Sequence, residues 1–196
     1  MLVHLMEMKV VHSLAHNADN FAQEVTRMKL FQHILVPLDG SAKAERAIPT
    51  AIKLAKNLGS QITLLRVVEI PEPSIENPPE PMKQWIDEVT KQAVAEAEGY
   101  LEGLASWFRA NDIEVETQVR VKKPDQDILE VMDLDKIDLI LMSPHGRGYQ
   151  DFGHECLSYG HVADKVLRRS PVPVLLVRGE AHRIPDLGGL VRPEQE

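Results

Sequence analysis

Hydrophobic and polar positions along this chain follow two different periods in turn. HILVPLD (33–39), QITLLRVVE (61–69), EVETQVRV (114–121), DLILMS (138–143) and PVLLVR (173–178) are short runs of β-branched and aliphatic residues bounded by Gly, Pro, Asp or Ser, a pattern that predicts five strands. ILVPL and LILM are apolar at successive positions, which suits strands covered on both faces. EVETQVRV alternates and is expected near an edge. The stretches between them have helical spacing. After Ser41, an N-cap residue, Ala44, Ile48, Ala51, Ile52, Ala55 and Leu58 recur at threes and fours until Gly59 supplies a stop. Pro49 inside that stretch predicts a kink. Trp85, Val89, Ala93, Ala97, Tyr100, Leu101, Leu104 and Phe108 line one side of a long second helix. Ile128, Leu129, Val131 and Met132 mark a short third helix opened by Pro124 and Asp125, and Val162, Val166 and Leu167 a fourth that reaches Ser170.

Strands alternating with helices are the pattern of parallel βαβ units. The expected architecture is α/β: a five-stranded open parallel sheet with helices on both faces, Rossmann-like. Ligands in such sheets lie beyond the carboxyl ends of the strands, where the winding reverses. That singles out the loops after Leu38, Val68 and Met142. Three segments fall outside this frame. PEPSIENPPEP (71–81), with five prolines, is expected as an extended crossover, neither helix nor central strand. Residues 179–196 read as a flexible polar tail. Residues 1–30 read as an extension, and Met28 is an alternative translation start. The domain proper is expected over 31–178.

Composition narrows the functional classes. The 196 residues are 43% hydrophobic and 27% charged, with a formal charge of −8. That balance disfavours a nucleic-acid backbone as partner. The single Cys156 excludes an intramolecular disulfide framework, and no apolar run is long enough to span a bilayer. Glu7 and Lys9 interrupt any apolar leader at the amino terminus, so a cytoplasmic protein is expected. The acid is concentrated: nine acidic residues between Glu69 and Glu102 stand against Lys83 and Lys91. Between His145 and Ser170 the balance reverses, with Arg147, Lys165, Arg168 and Arg169 against Asp151, Glu155 and Asp164. A small anion finds its best local field there.

The same stretch, SPHGRGYQDFGHECLSYGHVADKVLRRS (143–170), carries Gly146, Gly148, Gly153 and Gly160, the last just before the fourth helix. Glycines let backbone N–H groups approach an anion, and a helix start offers unsatisfied N–H groups with a favourable dipole. This is phosphate-cradle chemistry. Glycines also serve turn geometry in any loop, and the position after a central parallel strand is what favours the cradle. Together with HILVPLDGS (33–41), DLILMSPHGRG (138–148) and GHVADKVLRRSPVPVLLVR (160–178), the chain resembles the universal stress protein family over residues 31–178.

The resemblance implies a five-stranded parallel sheet, adenine nucleotide alpha hydrolase-like, in a protein that commonly dimerises. It also implies, for a subset of members, ATP bound by a G-x2-G-x9-G-S/T loop. Carried onto this sequence, it places Asp39, at the end of Pro37–Leu38, beside the adenosine, and Val67 or Val68 against the adenine. Ser143 stands at the first glycine of the loop, Gly146 at the second and Gly160 at the third. His145, Arg147 and Gly148 lie within the loop and Val162 opens the helix. Three departures stand out. Ser143 is not glycine, His161 replaces the Ser or Thr hydroxyl, and thirteen residues separate Gly146 from Gly160 instead of nine. The extra residues either bulge into solvent or fold across the site.

Two functions therefore stay open: a regulatory protein binding ATP or another adenine nucleotide, and a ligand-free dimeric interaction module. An enzyme is not expected, slow ATP hydrolysis aside, because the chain lacks a Walker lysine and an acidic pair for magnesium beyond Asp39 and Asp151. His145, His154, Glu155, Cys156 and His161 include zinc-competent ligands, but their spacing matches no known finger. No metal is expected except magnesium accompanying a nucleotide. Cys156 has no base paired with it and reads as an incidental thiol. Trp85, Tyr100, Trp107 and Phe108 read mainly as core packing of the long helix, or as part of a lid over the sheet edge. The resemblance implies that the last strand, 171–178, pairs its edge with a second copy, and an apolar edge left uncovered would be an aggregation risk; Val174 and Leu176 are expected on the opposite side from Leu175 and Val177.

Overall fold

A computed structural model describes residues 30–70, 77–147 and 159–178. Residues 71–76 of the expected crossover, residues 1–29 of the amino-terminal extension, the tail after 178, and the loop segment 148–158 with Gly148, Asp151, Gly153, His154, Glu155 and Cys156 lie outside the described residues. In chain order the elements are β1 (His33–Pro37), α1 (Ala42–Glu45), α2 (Ile48–Leu58), β2 (Gln61–Val68), α3 (Glu80–Arg109), β3 (Val115–Val121), α4 (Pro124–Leu134), β4 (Leu139–Met142), α5 (His161–Arg169) and β5 (Val174–Leu176). Among the described residues no helix is long and apolar enough to cross a membrane.

The five strands form one sheet in the order β3-β2-β1-β4-β5, and every pairing is parallel. Successive apolar residues have a direct physical reason. Ile34, Val36, Ile62 and Leu64 face α2 and α3, where Ala51, Ala55, Leu101 and Phe108 meet them. Leu35, Leu65 and Ile140 face α4 and α5, against Ile128, Val131 and Val166. Each such fully buried side chain contributes about 1.5–3 kcal/mol of transfer free energy, so both faces hold the sheet. As expected, EVETQVRV forms an edge strand, and Val174 and Leu176 pack on one face while Val177 packs on the other.

The chain winds from β1 outward to β3, then crosses back to β4 and β5, so the winding reverses between β1 and β4. The β1–β4 register runs only through Ile34↔Leu139 and Leu35↔Ile140. Leu38 N donates to Leu65 O across to β2 at 2.8 Å, so the nitrogen of Pro37 faces β4. Proline has no hydrogen to give there. The hydrogen-bonded register between the two strands stops short of Pro37, and β1 itself ends there, two residues before the expected end of the strand, at the crevice of the switch point.

Three expectations are corrected. Pro49 does not kink one helix; it opens a second. Arg46 N and Ala47 N bond to the carbonyls three residues back, closing α1, and Ala51 N to Ala47 O restarts the α-helical pattern. Pro49 lies in the first turn of α2, where no N–H donor is needed. Gly59, at φ 66°, stops α2 with its N–H on Ala55 O. For the same first-turn reason Glu80 and Pro81, expected within the non-helical segment, begin α3. Finally, Trp85 is 60% exposed and Val89 only half-buried; the buried stripe of α3 comprises Ala97, Leu101, Leu104, Ala105 and Phe108.

Candidate functional site

Above the crevice lies a cavity of about 730 Å³. Pro37, Leu38 and Asp39 enter it from β1, and Val67 and Val68 from the end of β2. Ser143, His145, Gly146 and Arg147 come from the loop after β4, and Gly160, His161 and Val162 from the start of α5. Thus every residue that the resemblance assigns to a nucleotide site lines one cavity, except Gly148, which lies outside the described residues.

Asp39 organises the floor. Its Oδ1 accepts from Ser41 N at 2.9 Å and from Ser41 Oγ at 2.6 Å, while Ser41 Oγ accepts from Ala44 N at 3.2 Å and caps α1. Its Oδ2 accepts from Arg147 N at 2.6 Å, and its own carbonyl accepts from Arg147 Nη2 at 2.5 Å. Asp-Gly-Ser is therefore both a turn with its N-cap and the clamp that holds the β4 loop against β1. Gly146 is required by that clamp: a Cβ there would stand 2.3 Å from Asp39 Oδ2. At the other end of the loop Gly160 N donates to Pro144 O at 2.8 Å, and a Cβ on Gly160 would come within 3.1 Å of that oxygen. Ser143 is buried, and among the described residues its Oγ accepts only a long 3.5 Å bond from His145 N.

Helix α5 begins at His161 with Gly160 as N-cap and no side-chain cap. Its first N–H groups and the positive end of its dipole point toward the cavity rim. Asp125, buried at the start of α4, pairs with Lys165 at 3.3 Å and Arg169 at 3.7 Å, fixing α5 to α4.

The cavity also includes residues not anticipated from sequence. Arg66 lines it from β2, Glu69 from just after β2, Ala93 and Glu96 from α3, and Pro124 and Ile128 from α4. Arg66 lies over the Tyr100 ring, 5.1 Å from its centroid, and Tyr100 donates its hydroxyl to Glu45 Oε1 at 2.8 Å. Burial raises the Glu45 carboxyl above its ordinary value; the Tyr100 hydrogen bond opposes this and the Asp39 charge adds to it. Burial, then Glu45, holds the Tyr100 hydroxyl well above the usual phenol range. Burial, then the charge of Arg147, lowers Arg66. One signal for Arg66 was visible in QITLLRVVE, where it is the only charge inside the aliphatic run. Among the described residues no group of three or more metal-competent side chains forms, and His154, Glu155 and Cys156 lie outside them.

Residues 30–178 match the model of the universal stress protein family. The chain belongs to the universal stress protein family. A universal stress protein of Methanocaldococcus jannaschii is 27% identical over 169 residues, covering 86% of this chain and 89% of its own. Another, from Synechocystis, is 32% identical over 148 residues, covering 76% and 86%. The solved UspA structure from Lactobacillus plantarum matches with a TM-score of 0.66 at 21% identity, over 76% of this chain and 99% of that one, a likeness of fold. In this universal stress protein the family's sheet places the cavity at the switch point, and the residues around it are the chain's own.

Proposed function

We propose that this universal stress protein binds an adenine nucleotide, ATP included, at the carboxyl ends of β1 and β4, and acts as a nucleotide-responsive regulatory protein. The observation that carries the reading is the convergence of the β1 end, the β2 end and both ends of the glycine loop on one cavity. Its volume of about 730 Å³ falls in the range of small-ligand sites. Val67, Val68 and Ile128 offer apolar surface for the base. Gly146, Gly160 and the uncapped start of α5 offer backbone donors to phosphates. The Ser143 hydroxyl hydrogen, with no acceptor among the described residues, remains for a phosphate oxygen.

Binding without dedicated turnover follows from the state of Asp39. Both its carboxylate oxygens are engaged by Ser41 and Arg147, which leaves it poorly placed to act as a base or to hold magnesium. Calorimetric or thermal-shift titration with ATP, ADP and AMP tests the reading. Binding at a hundredfold excess over Kd stabilises the fold by about 2–3 kcal/mol; no shift of the folded protein at millimolar nucleotide overturns it.

A dimeric role has support of its own. Strand β5 is an edge strand, and Leu175 on it is 39% exposed. We infer that this edge pairs with a second copy, which in a ligand-free protein would be the functional surface.

A further inference from the structure

Two guanidinium groups flank adjacent residues of the cavity floor. Arg147 reaches Asp39 from the β4 loop, with Nη2 on the Asp39 carbonyl at 2.5 Å. Arg66 arrives from β2: its Cζ, Nη1 and Nη2 lie 3.2–3.3 Å from where a Cβ on Gly40 would stand. A side chain at position 40 would press on that guanidinium, so Gly40 leaves room for it.

The two cations differ in how they are satisfied. Arg147 is hydrogen-bonded to Asp39. Arg66 is half-buried and rests on the Tyr100 ring, while no carboxylate among the described residues forms an ion pair with it. Of the charges acting on it, that of Arg147 is the strongest, and it repels. A partly desolvated cation beside a like charge costs free energy, which the attraction of the Asp39 and Glu96 carboxylates offsets only in part; an anion held between two guanidinium forks relieves the repulsion and the desolvation together. Tyr100 is a positioning residue here. Its hydroxyl is anchored on Glu45 at 2.8 Å, which holds the ring under the guanidinium.

We propose that Arg66 and Arg147 form a two-arginine clamp for one phosphoryl group over the Asp39–Gly40 peptide, an anion site that Arg66 supplies from β2 in addition to the glycine loop. The ligand class is a phosphorylated small molecule, bound by its phosphate charge and not only by its base. The clamp deepens the nucleotide reading and rests on it for the identity of the base, but not for the phosphate.

Isothermal titration of the wild type, Arg66→Met and Arg66→Lys with ATP, adenosine and inorganic tripolyphosphate tests the clamp, with melting curves to monitor folding. Arg66→Met is expected to weaken ATP and tripolyphosphate about ten- to hundredfold, the range for a lost charged hydrogen bond, and to leave adenosine within twofold. Arg66→Lys keeps the charge and the stem but loses the planar fork. It should fall between the two, and it carries the test if Arg66→Met does not fold. Equal losses for ATP and adenosine, or no loss for any probe, would make Arg66 a scaffold residue and overturn the clamp. If the wild type binds tripolyphosphate through Arg66 but neither ATP nor adenosine, the nucleotide reading fails and the clamp stands. If it binds none of the three, both fail.

Discussion

Asp39 and Gly146 act as one unit at the residue scale, because the carboxylate occupies the space a side chain at 146 would need. Gly146→Ala puts a methyl carbon 2.3 Å from Asp39 Oδ2, so Asp39 must swing away from Arg147 N and leave that donor unpaired. The expected cost is about 1–3 kcal/mol of stability, together with loss of ATP affinity. Gly99→Ala is the control. It sits in α3 with nothing within 4 Å of its would-be Cβ, and should stabilise by roughly 0.5–1 kcal/mol. Thermal melts of both variants compare the two directly; a neutral Gly146→Ala would mean the clamp is looser than its geometry. Glu45 makes a pH prediction. Its folded-state pKa is raised, chiefly by burial, so the folded state holds that proton more tightly than the unfolded chain. Stability from this group is fully present below the unfolded carboxylate value and is lost as pH rises through the folded one. Glu45→Gln, whose amide oxygen still accepts from Tyr100, should match the wild type near pH 4 and exceed it at pH 7 to 8. A variant less stable than the wild type at pH 8 would show that the Tyr100 bond to the carboxylate outweighs its burial.

Which elements were legible in the sequence depended on how many neighbours decided them. The strands were, because β1 and β4 are packed on both faces and must be aliphatic at every position. The helix stop at Gly59 was, because a left-handed cap favours glycine whatever surrounds it. Pro49 and Pro81 were not: the same residue kinks a helix interior or opens a first turn, and only the hydrogen bonds of Arg46 and Ala47 decide which. Trp85 was misplaced because periodicity identifies a stripe but not how far the sheet extends beneath it. Of α3, residues 80–96 include no buried side chain, and the buried stripe begins at Ala97. The candidate site was legible where turn and loop chemistry is local, at Asp39, Gly146 and Gly160. Arg66, Tyr100 and Glu45 meet only through the fold, from β2, α3 and α1. The two halves of α3 should therefore respond differently to truncation. Phe108→Ala, at a fully buried position, is expected to cost about 3–5 kcal/mol. Trp85→Ala should cost no more than about 0.5 kcal/mol. Urea denaturation measures both, and a large loss at Trp85 would mean that the first half of α3 is covered in solution.

For the whole molecule the decisive contrast is between the two edges of the sheet. An open edge strand is a template for pairing unless charge, proline or a cover blocks it. On β3 the sequence EVETQVRV places Glu114, Glu116 and Arg120 along the strand, which discourages a second chain. On β5 the run PVPVLLV has no charge before Arg178. Its inner side is used: Ile140 N bonds Pro173 O at 3.0 Å and Val177 N bonds Met142 O at 2.9 Å. Since successive backbone groups point to opposite sides, the N–H and C=O groups of Val174 and Leu176 face outward. A second copy offering the same strand satisfies both rows at once, and a two-fold pairing closes so that no β5 edge remains to propagate, leaving only the charged β3 edges. Light scattering at micromolar concentration should therefore report twice the chain mass. Leu175→Asp tests the surface, because Leu175 is 39% exposed while the residues beside it point into the core that α4 and α5 cover. At a two-fold axis the new carboxylates approach one another and repel, whereas in a single chain the substitution meets water and leaves the fold in place. The expected result is a variant that melts cooperatively but runs as a monomer. A wild type that is already monomeric at tens of micromolar would overturn the pairing, and a Leu175→Asp protein that still runs as a dimer would move the interface away from β5.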